Sequence, residues 1–296
     1  QSPERRILAR KSNLSATEMV DKNDRQAWAE RSIITKFRKG IWAPFLEAVR
    51  VYRLISEGDR IAVCISGGKD SMLLAKLMQE LKRHSEYPFE LEFICMDPGY
   101  NAENRRQIEY NSALLGIPVK FFESDVFEAS EAVCAKAPCY MCARMRRGYL
   151  YGRAKELGCN KIALGHHRSD VIETTLMGMF YGGQIQGMMP RIKSANFPGM
   201  ELIRPMYCIS EEDIVHWRDY NGLKFIACAC SFTQRLEGEG QARSVRSEMK
   251  QLVAELKKRN PDVEKSIFRA IHNVQLDTLP EYKSGGVKHS FLERFE

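Results

Sequence analysis

Apolar positions along the chain follow two alternating patterns, which predict buried strands and amphipathic helices in turn. Residues 61–65 are a short run of apolar, mostly β-branched side chains, whereas apolar positions in 72–81 recur at helical spacing. Further strands are predicted at 89–97, 117–124, 161–167 and 201–209, with helices at 102–115 and 144–157. This alternation predicts an α/β, Rossmann-like parallel sheet with crossover helices.

Helical patterns flank this alternating region on both sides. A helical pattern begins at Trp28, and apolar residues then recur at every fourth position from Ile33 to Val49, with Pro44 as a candidate kink in that helix. Ser210 and Asp213 resemble a helix-capping pair, and two helical segments separated by Pro261 follow Ala242. The predicted organisation is a basic helical extension over 1–56, a central α/β domain over 57–235 and a helical extension over 236–296.

A glycine turn joins the strand at 61–65 to the helix at 72–81. Its sequence is Ser66-Gly67-Gly68-Lys69-Asp70-Ser71. A helix N-terminus offers unpaired N–H groups, and the missing side chains let a phosphate come close, so the turn predicts an anion site. The spacing is too short for a Walker P-loop. A purely structural connection is the alternative.

Polar residues follow two other predicted strands. Asp97 ends one, and the segment from Gly165 to Asp170, with His166 and His167, ends another. Because ligands bind beyond the carboxyl ends of parallel strands, these residues should converge with the glycine turn on one crevice. Asp170 is expected to join Asp70 there, and carboxylates beside a phosphate site commonly hold Mg²⁺. The histidines are candidate ligands, with backbone partners as the alternative.

Nine cysteines without an evident secretion signal indicate thiols or metal ligands. Three of them, Cys64, Cys95 and Cys159, fall in apolar segments and are expected to be core thiols. Four come in close pairs, Cys139 with Cys142 just ahead of the helix at 144–157, and Cys228 with Cys230. A redox pair, a zinc site and an iron–sulfur site remain open as uses for them.

Composition and charge narrow the class of protein. The chain has 296 residues, of which 44% are hydrophobic, and carries a formal charge of +7. It contains no apolar run long enough to span a bilayer and no signal-peptide core at its start, so we expect a cytoplasmic protein without a membrane partner. Nine Lys and Arg against three acidic residues fall in 141–193, which favours either a nucleic-acid partner or a solvated basic face.

The glycine turn resembles the PP-loop of the ATP pyrophosphatase superfamily. Taken in order with "PCYMCARMRRG", "LGHHRSDVIETTLMGMFYGG", "IRP" and "CACS", it resembles the tRNA-cytidine 2-sulfurtransferases over about Trp28 to Val274. The resemblance implies that 57–235 is a PP-loop catalytic domain. It further implies an enzyme that splits ATP to AMP and pyrophosphate, adenylates the 2-carbonyl oxygen of a tRNA cytidine at position 32, and replaces that oxygen with sulfur.

The resemblance also implies roles for particular residues. ATP and Mg²⁺ would be bound by the PP-loop, Asp97, Gly165 and His166; the PP-loop residues are Ser66, Gly67, Gly68, Lys69, Asp70 and Ser71. Asp170 would be catalytic, although Ser169 replaces a family aspartate before it, and Arg146 would lie near the nucleotide. Cys139 and Cys142 match two of three ligands of a 4Fe-4S cluster. At the position of the third ligand this chain has C-x-C, and Cys228 is favoured over Cys230 as that ligand.

The expected partners are tRNA and a sulfide donor such as a cysteine desulfurase, and a homodimer is left open. The N-terminal basic helix and the basic segment 141–193 are expected to contact the tRNA. Two other functions remain. One is a PP-loop ligase of the amide-forming or lysidine type, in which nitrogen attacks the adenylate. The other is a non-catalytic RNA-binding module with a structural four-cysteine zinc.

Overall fold

A computed structural model of the chain describes the backbone of residues 22–124, 138–226 and 244–295, and the side chains of 24–124, 147–226 and 244–295. Two compact units make up the chain: Gln1–Arg168 with Met189–Ala242, and Ser169–Met188 with Arg243–Glu296. The predicted domain limits at 57 and 236 stay predictions. No described helix is long and apolar enough to cross a membrane.

Helices and strands alternate through the first unit, as predicted. In chain order they are α1 (Lys22–Ile34), a π-helix (Arg38–Trp42), α2 (Ala43–Val51), β1 (Arg60–Cys64), α3 (Lys69–His84), β2 (Glu90–Asp97), α4 (Ala102–Leu114), β3 (Val119–Glu123), α5 (Pro138–Glu156), β4 (Lys161–Ala163), α6 (Arg168–Phe180), β5 (Arg191–Lys193), β6 (Glu201–Ile203) and α7 (Glu211–Tyr220). Helix α6 continues into the second unit.

Within the described residues, the sheet has six strands in the order β3-β2-β1-β4-β6-β5. All neighbouring pairs are parallel except β5 with β6. Strand β1 therefore lies between β2 and β4, and the chain leaves its carboxyl end through the glycine turn. The predicted α/β class with a Rossmann-like parallel sheet is confirmed.

Both faces of the sheet are buried. Ile61 and Val63 belong to a large apolar cluster with residues of α1 to α4, whereas Ala62 and Cys64 point into a second cluster that contains Tyr151 of α5. Successive side chains of a strand point to opposite faces, so this division means that helices cover the sheet on both sides. Such cover explains why β1 is a continuous apolar run.

The N-terminal helical pattern is confirmed in a modified form. Pro44 does not kink one long helix but stands in the first turn of α2, where its missing N–H costs no hydrogen bond. The five residues at four-residue spacing are all buried in the large cluster; they are Ile33, Phe37, Ile41, Phe45 and Val49. The basic side chains of this region, among them Lys36, Arg38 and Arg50, are exposed.

Three predicted elements have clearly different limits in the structure. The strand expected at 161–167 ends at Ala163, and residues 164–167 form the connection to α6. The strand expected at 201–209 ends at Ile203, because Pro205 has no N–H for the ladder and the chain turns there. Its later apolar residues, among them Met206 and Ile209, are buried in the core without being strand. Helix α5 begins at Pro138 rather than 144, so the Cys139–Cys142 pair lies within its first turns.

The second unit is small and mainly helical. It contains the rest of α6, then α8 (Val245–Arg259), α9 (Val263–Ala270) and a hairpin of β7 (Glu281–Ser284) and β8 (Val287–Ser290). Its core joins α6 to α8 through Ile172, Leu176, Met249 and Val253. The two helices predicted on either side of Pro261 are confirmed.

Candidate active site

The glycine turn lies directly between β1 and α3. Gly67 has a φ of 83°, which side chains disfavour, and a Cβ there would lie 2.5 Å from Ile108 and 2.7 Å from Ile226. Gly68 is the N-cap residue of α3 and provides no side-chain cap. The first N–H groups of α3 are therefore left for a ligand, and the helix dipole favours an anion there.

The two serines of the turn hold it in shape. Ser66 donates through its N–H to Ser71 Oγ at 3.1 Å, and the two hydroxyl oxygens are 3.2 Å apart. Ser71 Oγ also donates to the Gly68 carbonyl at 3.0 Å, and the residue is buried. The turn is thus preorganised by its own side chains.

Lys69 stands between two carboxylates. Its Nζ is 3.2 Å from Asp70 Oδ2 and 3.2 Å from Glu211 Oε1, at the start of α7. Burial lowers the pKa of Lys69, but the charges of Asp70 and Glu211 outweigh burial and raise that pKa above its usual value. The amine therefore stays a cation beside the N-terminus of α3, where it can exchange a carboxylate partner for a phosphate.

Glu211 is a residue that the sequence did not single out. Ser210 caps α7 by accepting from the Asp213 N–H at 3.2 Å, as the predicted capping pair implies, and this cap fixes the first turn that carries Glu211. The Ser210–Asp213 cap is therefore the local sequence feature that predicts where Glu211 lies, at the start of a helix. Its approach to Lys69 spans more than a hundred residues of sequence and is set by the order of the strands.

The β4–α6 connection closes against the turn. A Cβ on Gly165 would lie 3.1 Å from the Asp70 carbonyl carbon and 3.2 Å from the Ser71 nitrogen, so glycine allows this approach. His167 is buried, with Nε2 at 3.7 Å from Asp70 Oδ1, longer than a hydrogen bond. Gly165 and His167 are thus brought to the glycine turn, as expected for one crevice. His166 lies half-buried beside them.

Asp70 supplies an unused oxygen at this point. Asp70 Oδ1 is buried and accepts no hydrogen bond from the residues that the structure describes. An oxygen of this kind beside a helix terminus fits a hard cation such as Mg²⁺, which prefers oxygen ligands. A cavity of about 660 Å³ opens next to it, of a size typical for a nucleotide; its lining includes Gly68, Lys69, Asp70, Glu211, Val215, Arg218 and Ile226.

Asp97 is the last residue of β2 and is held by the loop that follows it. Oδ1 accepts the N–H groups of Gly99 and Tyr100 at 2.9 and 2.8 Å, and Oδ2 lies 2.6 Å from Arg105. Burial raises the pKa of Asp97, but these donors outweigh it and lower that pKa overall. Asp97 therefore shapes the loop after β2, and its role toward a nucleotide stays a prediction.

Asp170 belongs to the second unit, where it pairs with a residue of α8. Arg246 Nη1 is 2.8 Å from Asp170 Oδ1 and 3.4 Å from Glu173 Oε2. Arg246 is a further residue that sequence reasoning missed, because it comes from the C-terminal extension. The expected meeting of Asp170 with Asp70 stays a prediction.

The cysteine predictions divide in two. Cys64, Cys95 and Cys159 are buried free thiols, as expected, and burial raises the pKa of Cys159 to about 11. Cys139 and Cys142 lie three positions apart in α5, but their side chains and that of Arg146 are outside the described residues. Cys228 and Cys230 lie wholly outside them.

The basic segment 141–193 is less uniform than its composition indicates. Lys161 is 3% exposed and pairs with Asp59 at 2.5 Å, so it serves the core and cannot meet a polyanion. Arg191 forms a two-point contact with Glu201, and Arg153 pairs with Glu156. The N-terminal helices instead present exposed cations, including Lys36, Arg38, Lys39, Arg50 and Arg53.

Comparison with known proteins agrees with this geometry. A family model described as a PP-loop domain matches residues 43–237. The tRNA-cytidine(32) 2-sulfurtransferase of Vibrio cholerae is 35% identical over 260 residues, covering 86% of this chain and 80% of that protein. The protein of the same name from Alkalilimnicola ehrlichii is 36% identical over 237 residues, covering 79% and 73%.

A solved structure gives the same fold. The U34-tRNA thiolase NcsA from Methanococcus maripaludis, solved with its 4Fe-4S cluster, superposes with a TM-score of 0.61 at 21% identity, covering 81% of this chain and 80% of that one. At this identity the likeness concerns the fold alone. With the PP-loop domain matched over more than half of the chain, and relatives this similar over most of both chains, the protein belongs to the tRNA-cytidine(32) 2-sulfurtransferase family of PP-loop proteins.

Proposed function

We propose that the protein is an ATP-dependent tRNA sulfurtransferase, which replaces the 2-carbonyl oxygen of a cytidine at position 32 with sulfur. Membership of the family makes it a transferase of this kind. The observation that carries the proposal in the structure is the Ser66–Ser71 turn, which places Lys69 and Asp70 at the N-terminus of α3 beyond β1. That arrangement fits a triphosphate.

The PP-loop residues bind and orient ATP in this proposal. The free N–H groups at the start of α3 receive phosphate oxygens, which can approach because Gly67 and Gly68 have no side chains. Lys69 offsets the phosphate charge, and Asp70 Oδ1 is a ligand for Mg²⁺. Bound Mg²⁺ would neutralise charge on the departing pyrophosphate. Asp97, Gly165 and His166 complete the nucleotide site, with Arg146 near it.

The reaction then proceeds in two displacements. The cytidine O2 attacks the α-phosphorus of ATP, the bond to the β-phosphate oxygen breaks, and pyrophosphate leaves. Sulfide next attacks C2, the C2–O2 bond breaks, and AMP leaves with the former carbonyl oxygen. A donor such as a cysteine desulfurase delivers its sulfur as a persulfide, and a thiol reductant supplies the two electrons that release it as sulfide. From sulfide onward, the two displacements change no oxidation state.

Three thiolates are proposed to hold a 4Fe-4S cluster: Cys139, Cys142 and Cys228, with Cys230 as the alternative third. Thiolates are the usual ligands of such clusters, and the i, i+3 spacing of the first two in α5 suits a shared site. When bound, the cluster supplies an iron that can hold sulfide.

Asp170 is the proposed catalytic carboxylate for handling a proton at the reacting cytidine. Arg246 Nη1 lies 2.8 Å from Asp170 Oδ1 and holds this carboxylate in place, where it can accept a proton. Because Arg246 acts through Asp170, it is a positioning residue.

Two alternatives to this function have different consequences. A PP-loop ligase would form an amide-type bond and would not depend on Cys139 or Cys142. A non-catalytic RNA-binding module would contain zinc and release no pyrophosphate. Neither accounts for the relatives named as sulfurtransferases over most of the chain.

An oxygen-transfer experiment tests the proposed reaction. The anaerobically purified chain is supplied with ATP, Mg²⁺, sulfide and tRNA whose cytidine O2 carries oxygen-18. We expect tRNA-dependent pyrophosphate release and one heavy oxygen in the phosphate of AMP, detected by mass spectrometry. AMP without the label would contradict attack by O2. Iron and acid-labile sulfide are counted on the same preparation, and stoichiometric zinc instead would contradict the cluster.

A further inference from the structure

An aromatic pair on the surface of the first unit has no assigned role. The rings of Trp28 in α1 and Tyr220 at the end of α7 stack with centroids 5.9 Å apart and an interplanar angle of 19°. Trp28 is nevertheless 56% exposed and Tyr220 39% exposed. Phe37 supports Tyr220 from its edge at 5.6 Å and is itself buried. The stack is therefore a rigid platform with one large ring open to solvent.

Cations surround this platform. Lys36 Nζ lies 3.9 Å from the centre of the Tyr220 ring, and Arg25 and Arg31 are exposed on the same helix as Trp28. Among the residues that the structure describes, neither arginine has an ion-pair partner, and Asp24 is the one acidic residue in the adjoining cavity. Glu30, the next nearest carboxylate in the helix, is taken up by Lys76 and Arg83. The surface is positive around an apolar face.

The platform forms one wall of a cavity. Its volume is about 790 Å³, and its lining combines the aromatic pair with the two arginines, Leu114, Leu115 and the turn at 221–223. A single exposed aromatic residue needs no explanation. A braced aromatic stack, a cavity and three cations together match the way proteins bind unpaired nucleotides, by base stacking beside a basic track for the backbone.

We propose that this surface, the Trp28 platform, binds an unpaired nucleotide of the RNA substrate by stacking its base on Trp28, with Arg25, Arg31 and Lys36 contacting the flanking phosphates. The identity of that RNA as tRNA rests on the proposed function. Charge complementarity favours RNA over a peptide, because the cations outnumber the acidic residues. Stacking on Trp28 uses only the flat face of the base, which all four bases have, so the site should accept any base.

The chain contains its own probe for this site. Of its three tryptophans, Trp42 is 6% exposed and Trp217 is fully buried, so Trp28 is the one that solvent reaches. The full chain is titrated with a single-stranded RNA hexamer, and in parallel with the same sequence as a blunt duplex. We expect the hexamer to quench the exposed tryptophan emission and the duplex to leave it nearly unchanged. Equal quenching by both would overturn the stacking proposal.

Variants separate stacking from general charge. Trp28→Ala should weaken hexamer binding by about 5- to 100-fold, whereas Trp28→Phe, which keeps a ring, should stay much closer to wild type. Arg31→Glu should weaken binding and lower the salt dependence, while the exposed control Lys82→Glu should do neither. Emission from Trp42 and Trp217 reports whether each variant folds. Unchanged affinity in a folded Trp28→Ala chain would overturn the proposal.

The same preparations distinguish this inference from the proposed function. Trp28→Ala should raise the KM for tRNA and leave kcat unchanged, because the contact is equal in ground and transition states. If the wild-type chain thiolates tRNA and Trp28→Ala does so with the same KM for tRNA, the platform is refuted and the proposed function stands. Hexamer binding at Trp28 in a chain that thiolates no tRNA would refute the function and leave the platform. An acidic peptide that displaces the hexamer at lower concentration would make the surface a protein site and reject the RNA assignment.

Discussion

At the scale of single residues, the site combines a contiguous glycine turn with a carboxylate from a distant part of the chain. The six residues from Ser66 to Ser71 are contiguous, so their position between a strand and a helix could be read from local patterns. Glu211 reaches Lys69 only because α7 follows β6 in a particular strand order. Contacts of this kind depend on the fold and leave no local signature.

Gly67 is the residue whose backbone the turn depends on most. We expect Gly67→Ala to abolish ATP binding and to destabilise the chain, because the Cβ would clash with Ile108 as well as strain a φ of 83°. The matched control is Gly199→Ala, with a φ of 82° and no atom within 4 Å, which should cost only about 1 kcal/mol of strain. Calorimetric ATP titration and urea unfolding check both. Equal behaviour of the two variants would contradict the account.

Lys69 should contribute to ATP affinity through its charge. We expect Lys69→Ala to weaken ATP binding by about 10- to 100-fold, since a charged hydrogen bond is lost. Lys82→Ala, on the same helix but exposed and paired with Glu90, should have no effect. Because the pKa of Lys69 is raised, ATP affinity should not decline between pH 7 and about pH 9 through loss of this charge. A decline that disappears in Lys69→Ala would show that the pKa is lowered instead.

At the scale of elements, periodic segments were predicted well and short strands poorly. Strand β5 has one apolar residue, Ile192, between two basic ones, as suits an edge strand, and so carries no alternating signal. The β7–β8 hairpin did have a signal in Gly285-Gly286, both with positive φ. The apolar residues after Ile203 resembled a strand, but they are apolar because they pack into the core outside any strand.

A buried ion pair joins α1 to the helix that carries the PP-loop. Lys76 of α3 is fully buried and lies 2.5 Å from Glu30, which also meets Arg83. Burial raises the pKa of Glu30, but its hydrogen bonds to Arg83, Lys76 and Gln26 outweigh burial and lower it from 4.5 to about 2. A lowered carboxyl pKa stabilises the fold above pH 4.5, and the contribution is lost as the pH falls toward 2.

Glu30→Gln should therefore destabilise the chain by about 2 kcal/mol at pH 7, reduced from the full effect of the pKa shift because Glu30 is partly solvated. The difference from wild type should shrink as the pH falls below about 4.5. Urea unfolding at several pH values measures it. Glu90→Gln, in the surface pair with Lys82, is the control and should change stability by less than about 0.5 kcal/mol. A pH-independent difference for Glu30→Gln would contradict the assigned cause.

At the scale of the whole molecule, family and fold class followed from motifs in order, whereas the division into units did not. Residues 169–188 join the C-terminal extension in one unit although they continue a helix that begins in the other. No local pattern marks that division, because it depends on which helices share a core. Because of this division, Asp170 and Arg246 belong to the same unit, in which they form an ion pair.

The paired cysteines should be needed for sulfur transfer alone. We expect Cys139→Ser and Cys142→Ser to abolish thiolation and lose iron while ATP affinity is retained. Cys208→Ser is the control, since Cys208 is a half-buried free thiol whose pKa is raised by burial to about 11. Iron content, ATP titration and thionucleoside yield are compared across the three variants. Thiolation that survives in either of the first two would contradict the proposed cluster.

The central claim, that this chain thiolates a tRNA cytidine, is tested most directly by nucleoside mass spectrometry. The tRNA is taken from cells that lack their own tRNA-cytidine sulfurtransferase and express this chain or its Lys69→Ala variant. We predict 2-thiocytidine at position 32 with the wild-type chain and none with the variant. Expression of folded, ATP-binding protein without any 2-thiocytidine, or with sulfur on another nucleoside, would contradict the claim.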